Sequence, residues 1–284
     1  MEPDRQLVVK SNHIIEASYR LSVAEQRVIL SAIAQVRRDQ PKVTDAVLYS
    51  VTAAELAELC GTDPKTAYRD LQNAAERLQT RRVTLILEPD GVTIRTKRRR
   101  VTCWVQSVDY IDQEGRIELR FGKDILPYLT GLQREFTRYA LSDVAKMTSA
   151  HAIRLYELLM QWPEGHRVVA LDDLRRWLQL EDRYPSIKDL KRRVLDPAVQ
   201  QINEHSPLML TWSQRKTGRK VTHLVFDYAP KKQPAKAVGK APAKRKTGKL
   251  TKEEVARQAR PGESWEAAYA RLNQIPMELE PVTA

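Results

Sequence analysis

The chain has 284 residues, with 48 Lys and Arg against 36 Asp and Glu for a formal charge of +12; 42% of residues are hydrophobic and 30% charged. That length suits about two domains with small cores, and an aromatic share of 6% excludes an aromatic-rich binding surface. No window holds the ~18 consecutive apolar residues of a membrane span, and the opening MEPDRQLVVK lacks an apolar signal core, so a cytoplasmic protein without membrane contact is expected. Only Cys60 and Cys103 occur, far apart, which argues against a disulfide framework or a zinc site and for two buried small apolar residues.

In chain order, residues 1–21 read as an N-terminal arm. Leu7, Ile14, Leu21 and Val28 share a seven-residue spacing, but a zipper is disfavoured because Ser22-Val23-Ala24-Glu25 is a capping box that starts a new helix inside that span. That helix is predicted from about residue 23 to 38, with Val28, Ile29, Ala32, Ile33 and Val36 inward. A short strand over 46–51 follows, then a second capping box, Thr52 to Glu55, opening a helix that Gly61 closes. Asp63 and Pro64 open a third helix. In it Ala67, Leu71, Ala74, Ala75 and Leu78 recur at helical spacing, which turns Lys65, Arg69, Gln72, Asn73 and Glu76 outward. Two strand-like runs then flank Pro89-Asp90-Gly91, and the second carries Arg98, Arg99 and Arg100. Helix, strand, helix, helix, hairpin is the order of a winged helix.

Linking elements are expected as a strand over 115–121, a short helix over 124–129 and a strand over 136–141. The winged-helix order then returns about 119 residues after its first appearance. Residues 149–162 form the first helix of this second unit, His166 to Ala170 its strand, and LDDLRRWLQL its second helix. The long helix that follows, ending near Asn203, turns Ile187, Leu190, Val194, Ala198 and Ile202 inward and Lys188, Asp189, Arg192, Arg193 and Asp196 outward, with a kink expected at Pro197. Two last strands flank Lys216-Thr217-Gly218, and Arg215, Lys216, Arg219 and Lys220 make this second wing basic. The fold class expected is α+β: two tandem winged helices over 22–140 and 141–228, followed by a basic tail.

Residues 229–284 hold 12 basic and 6 acidic residues, leaving 36 and 30 before them. The stretch 229–249, with eight basic residues, three prolines and no acid, is expected to be disordered. Residues 264–272 predict a short helix with Trp265, Ala268, Tyr269 and Leu272 on one face, either a docking peptide or a helix packed on its own domain.

The candidate chemistry is recognition of double-stranded DNA. A helix fits the major groove, Arg pairs bidentately with guanine, Asn or Gln pairs with adenine, and basic hairpins hold phosphates. One Lys- and Arg-rich helix is an ordinary solvated face, but two of them in a repeated frame, each with a basic hairpin, favour nucleic acid. Against an enzyme, Gly122-Lys123, Gly239-Lys240 and Gly248-Lys249 lack the upstream glycine of a phosphate loop. The five histidines have no metal-ligand spacing, and no His-x-His pair serves a rolling-circle nickase. No cofactor, metal or catalytic residue is expected.

The stretches LVVKSNHIIEASYRLSVAEQRVILSAIAQV, FTRYALSDVAKMTSAHAIRLYELLMQW and YPSIKDLKRRVLDPAVQQINEHSPLMLTW, with RKTGRKVTHLVFDY, resemble the iteron-binding plasmid replication initiators. The resemblance covers about residues 7–228. It implies monomers that bind directly repeated iterons at a plasmid origin, and dimers that bind an inverted operator and repress the initiator's own gene. It also implies origin opening with the host initiator ATPase and recruitment of the host replicative helicase. Dimerisation and further DNA contacts would fall to the N-terminal unit. The strongest contacts would fall to the C-terminal unit, through Lys188, Arg192 and Arg193. The tail departs from the compact family pattern and takes no role from the resemblance. A dedicated transcriptional repressor is the rival reading within DNA-binding proteins, and a DNA-processing nickase the rival outside it.

Overall fold

The computed structural model describes residues 6–36, 44–87, 96–132 and 135–231. The expected short helix over 264–272 and nearly all of the basic tail lie outside the described residues.

Residues expected as an arm contribute regular elements from Leu7 onward: β1 (Leu7–Ser11), α1 (Asn12–Ile15) and β2 (Ser18–Tyr19). Of the seven-residue spacing, Leu7 lies in β1, Ile14 in α1, Leu21 in a loop and Val28 in the helix that follows, so these residues form no zipper. The capping box at Ser22 and Glu25 forms as read and opens α2 (Val23–Ala34). This helix stops four residues before the expected end. There Gln35 and Val36 donate to carbonyls three residues back, and the Gln35 amide ties the helix end to Ser50 O at 2.6 Å.

β3 (Tyr49–Thr52) starts later than expected and leads into α3 (Ala53–Cys60) through the Thr52–Glu55 capping box. Gly61 ends α3 at φ +65°, a left-handed conformation that glycine takes without Cβ strain. Asp63 and Pro64 open α4 (Pro64–Leu78), whose buried residues are the five predicted ones. Each side-chain cap is worth about 1 kcal/mol.

The hairpin after α4 consists of β4 (Arg82–Leu87) and β5 (Arg98–Cys103), paired from Arg82↔Cys103 to Leu87↔Arg98. Its expected turn at Pro89-Asp90-Gly91 lies outside the described residues. The strand-like run does not continue past Cys103 in one sheet. Fully buried Trp104 breaks it, packing edge-on to Tyr19 at 4.9 Å between centroids, and β6 (Val105–Ile111) then joins another sheet. β6 pairs with β7 (Arg116–Phe121), which pairs with β3. The hairpin pairs instead with β2. The expected linking helix is one short 3₁₀ turn, Leu126–Tyr128. β8 (Phe136–Ala140) lies antiparallel to β1, and α5 (Ser142–Ala145) follows it.

The second unit keeps the simpler arrangement. α6 (Ala150–Met160), β9 (His166–Ala170) and α7 (Leu171–Trp177) stand where they were read, with Ser149 capping α6. The long helix is composite: α8 (Ile187–Leu190), a π-helical turn over Lys191–Leu195, and α9 (Asp196–His205). Pro197 has no N–H for the carbonyl four residues back, and the wider turn just before it accommodates that missing bond where a kink was expected. β10 (Leu208–Thr217) and β11 (Lys220–Pro230) form the last hairpin, with β9 on the far side of β11. β11 outlasts the expected domain end at residue 228, and Lys231 still bonds to Pro207 O and Ser206 O. The internal repeat therefore holds for the helices but not for strand pairing. One continuous hydrophobic core runs through both units.

Candidate nucleic-acid interface

On α4, Lys65, Arg69 and Asn73 are exposed along one side, spaced four residues apart. Gln72 is half-buried and donates to Tyr68 Oη at 3.1 Å, so its amide is already partly engaged. The three arginines of β5 are exposed but not on one face. Arg98 and Arg100 oppose Leu87 and Leu85, while Arg99 opposes Ile86 across the pleat. Arg100 also pairs with Asp124 at 3.4 Å.

In the second unit Lys188, Arg192 and Arg193 are all exposed, and the inward residues Leu190, Val194, Ala198 and Ile202 are buried as predicted, with Ile187 half-buried. Arg192 carries one restraint, an ion pair with Asp189 at 3.1 Å. The neighbouring Lys191 instead lies over the Trp212 ring, 5.3 Å from its centroid, and this joins the helix to the wing. Asn203 fixes the same junction: its Oδ1 accepts from Leu210 N at 2.6 Å and its Nδ2 donates to Leu210 O at 2.8 Å. Arg215, Lys216, Arg219 and Lys220 are all exposed. Gly218, at φ +61°, and Arg219 make the two-residue turn, and a bulge between Arg215 and Lys216 interrupts the alternation of the wing.

The frame holding these surfaces contains charges that the sequence reading missed. Lys10, Arg154 and Glu157 are all buried, at 1%, 3% and 1% exposure. Glu157 takes the Lys10 ammonium, Arg154 Nη1 at 3.3 Å and the Tyr139 hydroxyl at 2.5 Å. Arg154 also donates to Ile15 O, Ala17 O and Trp177 O, linking the N-terminal segment to α7. The one available signal was a pair of charges three residues apart inside the apolar run of α6. A second anchor is Glu25, fully buried, which caps α2 and grips Arg81 with both oxygens at 2.7 and 2.9 Å.

Burial, helped by Arg20, Arg183 and Arg154, lowers the His151 imidazole to about 4. An unfolded histidine titrates near ~6.5, so between these values the unfolded chain binds more protons and acid favours unfolding. Thermal midpoints should therefore fall from pH 6.5 towards pH 4, and His151→Gln should remove that part of the slope. An identical pH profile in the variant would contradict this.

Cys60 is buried as expected, whereas Cys103 is only half-buried. Among the described residues no cluster of His, Cys, Asp or Glu could hold a metal, and no helix is long and apolar enough to cross a membrane.

Residues 7–160 match the family described as Initiator Replication protein, WH1, and residues 170–228 match Initiator Rep protein, WH2. Among similar proteins is an Escherichia coli replication initiation protein, 27% identical over 78% of this chain and 68% of its own length. The PI protein of Escherichia coli is 22% identical over 76% of this chain and 80% of its own length. Among solved structures, a Pi initiator protein crystallised with iteron DNA has the same fold, with a TM-score of 0.67 and 20% identity over 81% of this chain and all of that one.

Proposed function

We propose, because this chain belongs to the initiator replication protein family, that it starts plasmid replication by binding directly repeated iterons at an origin. The observation that carries this reading is the pairing, in each unit, of an exposed cationic helix with an exposed basic hairpin. The iteron complex of the similar Pi initiator supports the same ligand. Lys65, Arg69, Gln72 and Asn73 from the first unit and Lys188, Arg192 and Arg193 from the second face the grooves. Arg98, Arg99, Arg100, Arg215, Lys216, Arg219 and Lys220 neutralise phosphates. Two different units on one chain read an asymmetric site, with successive major grooves about one turn, ~10 base pairs, apart.

In the same reading, dimers formed through the N-terminal unit bind an inverted operator and repress the initiator's own gene. Origin opening and recruitment of the host initiator ATPase and replicative helicase follow iteron binding, and the protein itself carries no catalytic step.

Base reading and phosphate holding separate in one variant. Arg192→Ala should cost about 1–3 kcal/mol on its own site and relax preference at one base pair. Affinities for the site and for single-base variants of it, measured at fixed salt, check this. An equal loss on specific and unrelated duplexes would remove Arg192 from the base-reading set. Replication of an origin plasmid in cells lacking the gene would overturn the initiator role itself.

A further inference from the structure

Beside the outward face of α4, the turn after β2, the end of α4 and the start of α6 line an open cavity of about 470 Å³. Its wall carries four arginines, Arg20, Arg77, Arg81 and Arg154, and no carboxylate. Arg81 is neutralised from behind by Glu25, and Arg154 shares Glu157 with Lys10. No ion pair within the described residues engages Arg20 or Arg77, both of which are exposed. Positive charge is thus concentrated around a concave space of small-molecule size, an arrangement that favours an anion.

Two buried polar atoms on lining residues point the same way. Arg154 Nε has no hydrogen-bond partner although its two terminal nitrogens are fully used. Gln26 Oε1 is also unpartnered, while its Nε2 donates to Leu21 O and Ala150 O. Buried polar groups in folded proteins are almost always bonded, so these two residues keep unspent polar capacity beside the cavity. His151 fits the same field, since its imidazole is held neutral partly by Arg20 and Arg154.

We propose that this cavity binds a ligand with closely spaced phosphate groups, held by the exposed Arg20 and Arg77, with Arg81 and the buried Arg154 adding positive charge behind them. The site would stand even if the chain bound no iterons. Its phosphates have two sources, a free nucleotide such as ADP or neighbouring phosphates of a DNA strand.

The test is titration calorimetry on the full-length protein with sodium pyrophosphate and, separately, ADP, at fixed ionic strength. One-to-one saturable binding is expected. Arg20→Gln and Arg77→Gln should each weaken it at least tenfold without changing the melting temperature, because both side chains are exposed. Arg138→Gln, an equal change of charge at an exposed position on β8, should leave it unaltered. Duplex affinity unchanged by saturating pyrophosphate identifies a free ligand. Competition that disappears in Arg77→Gln identifies DNA phosphates; either result keeps the site. Absence of saturable binding, or an equal loss in Arg138→Gln, overturns the proposal.

Discussion

Glu157→Ala is expected to destabilise the fold by about 3–5 kcal/mol, the cost of removing one partner from a buried ion pair. The carboxylate is 1% exposed and is the acid shared by Lys10 and Arg154. Burial pushes its pKa up, but Lys10, Arg154 and the hydrogen bonds outweigh that and hold it below the usual carboxylate range. Without it, two cations stay in a site sealed from water, and the hydroxyls of Tyr139 and Tyr19 lose their acceptor. Lys10 limits the damage. Burial already lowers its pKa, and Glu157 is the partner that raises it, so in the variant Lys10 sheds its proton more readily. Denaturant unfolding of the two proteins at pH 7 checks the figure, and a loss below about 1 kcal/mol would show that water reaches the network. The functional consequence is geometric. Arg154 spans from the N-terminal segment to Trp177, so slack here loosens the frame that presents both candidate surfaces.

Replacing Arg215, Lys216, Arg219 and Lys220 together with Gln is expected to produce the largest loss of DNA affinity. All four are exposed on one hairpin held away from the core, so the fold should survive the change. If each neutralises one phosphate, the slope of log affinity against log salt becomes shallower by about 3–4 units, a loss on the order of 10²- to 10³-fold at ~0.1 M salt. Specific and unrelated duplexes should lose similar factors, because phosphate contacts carry no base information. Binding isotherms at several salt concentrations give both quantities. An unchanged slope would place the wing off the DNA.

What the sequence made legible was local. The capping boxes at Ser22–Glu25 and Thr52–Glu55, the Asp63–Pro64 helix start and the Gly61 stop each depend on residues within one turn, and all form as read. The five-residue core face of α4 was equally plain, because 3.6-residue periodicity needs no knowledge of the partner. Strand pairing was not legible. β1 finds β8 across more than a hundred residues, and the first hairpin joins the two-residue β2 instead of β3, choices set by packing around Trp104 and Tyr19. Buried charges were missed for a related reason. Nothing along the chain marks Lys10 as the partner of Arg154 and Glu157, and only together, in the folded chain, do they satisfy each other. The candidate interface falls between these cases. The sequence put its cations on exposed positions, but did not show that Arg98 and Arg100 sit on the face opposite Arg99, nor that Gln72 is engaged by Tyr68.

The most direct test of the central claim is footprinting of the purified full-length protein on the DNA flanking its own gene, at several salt concentrations. Protected direct repeats of about two helical turns each, persisting as salt rises, are the result predicted for an iteron-binding initiator. A single protected inverted repeat, or protection that fades uniformly with salt, would contradict it.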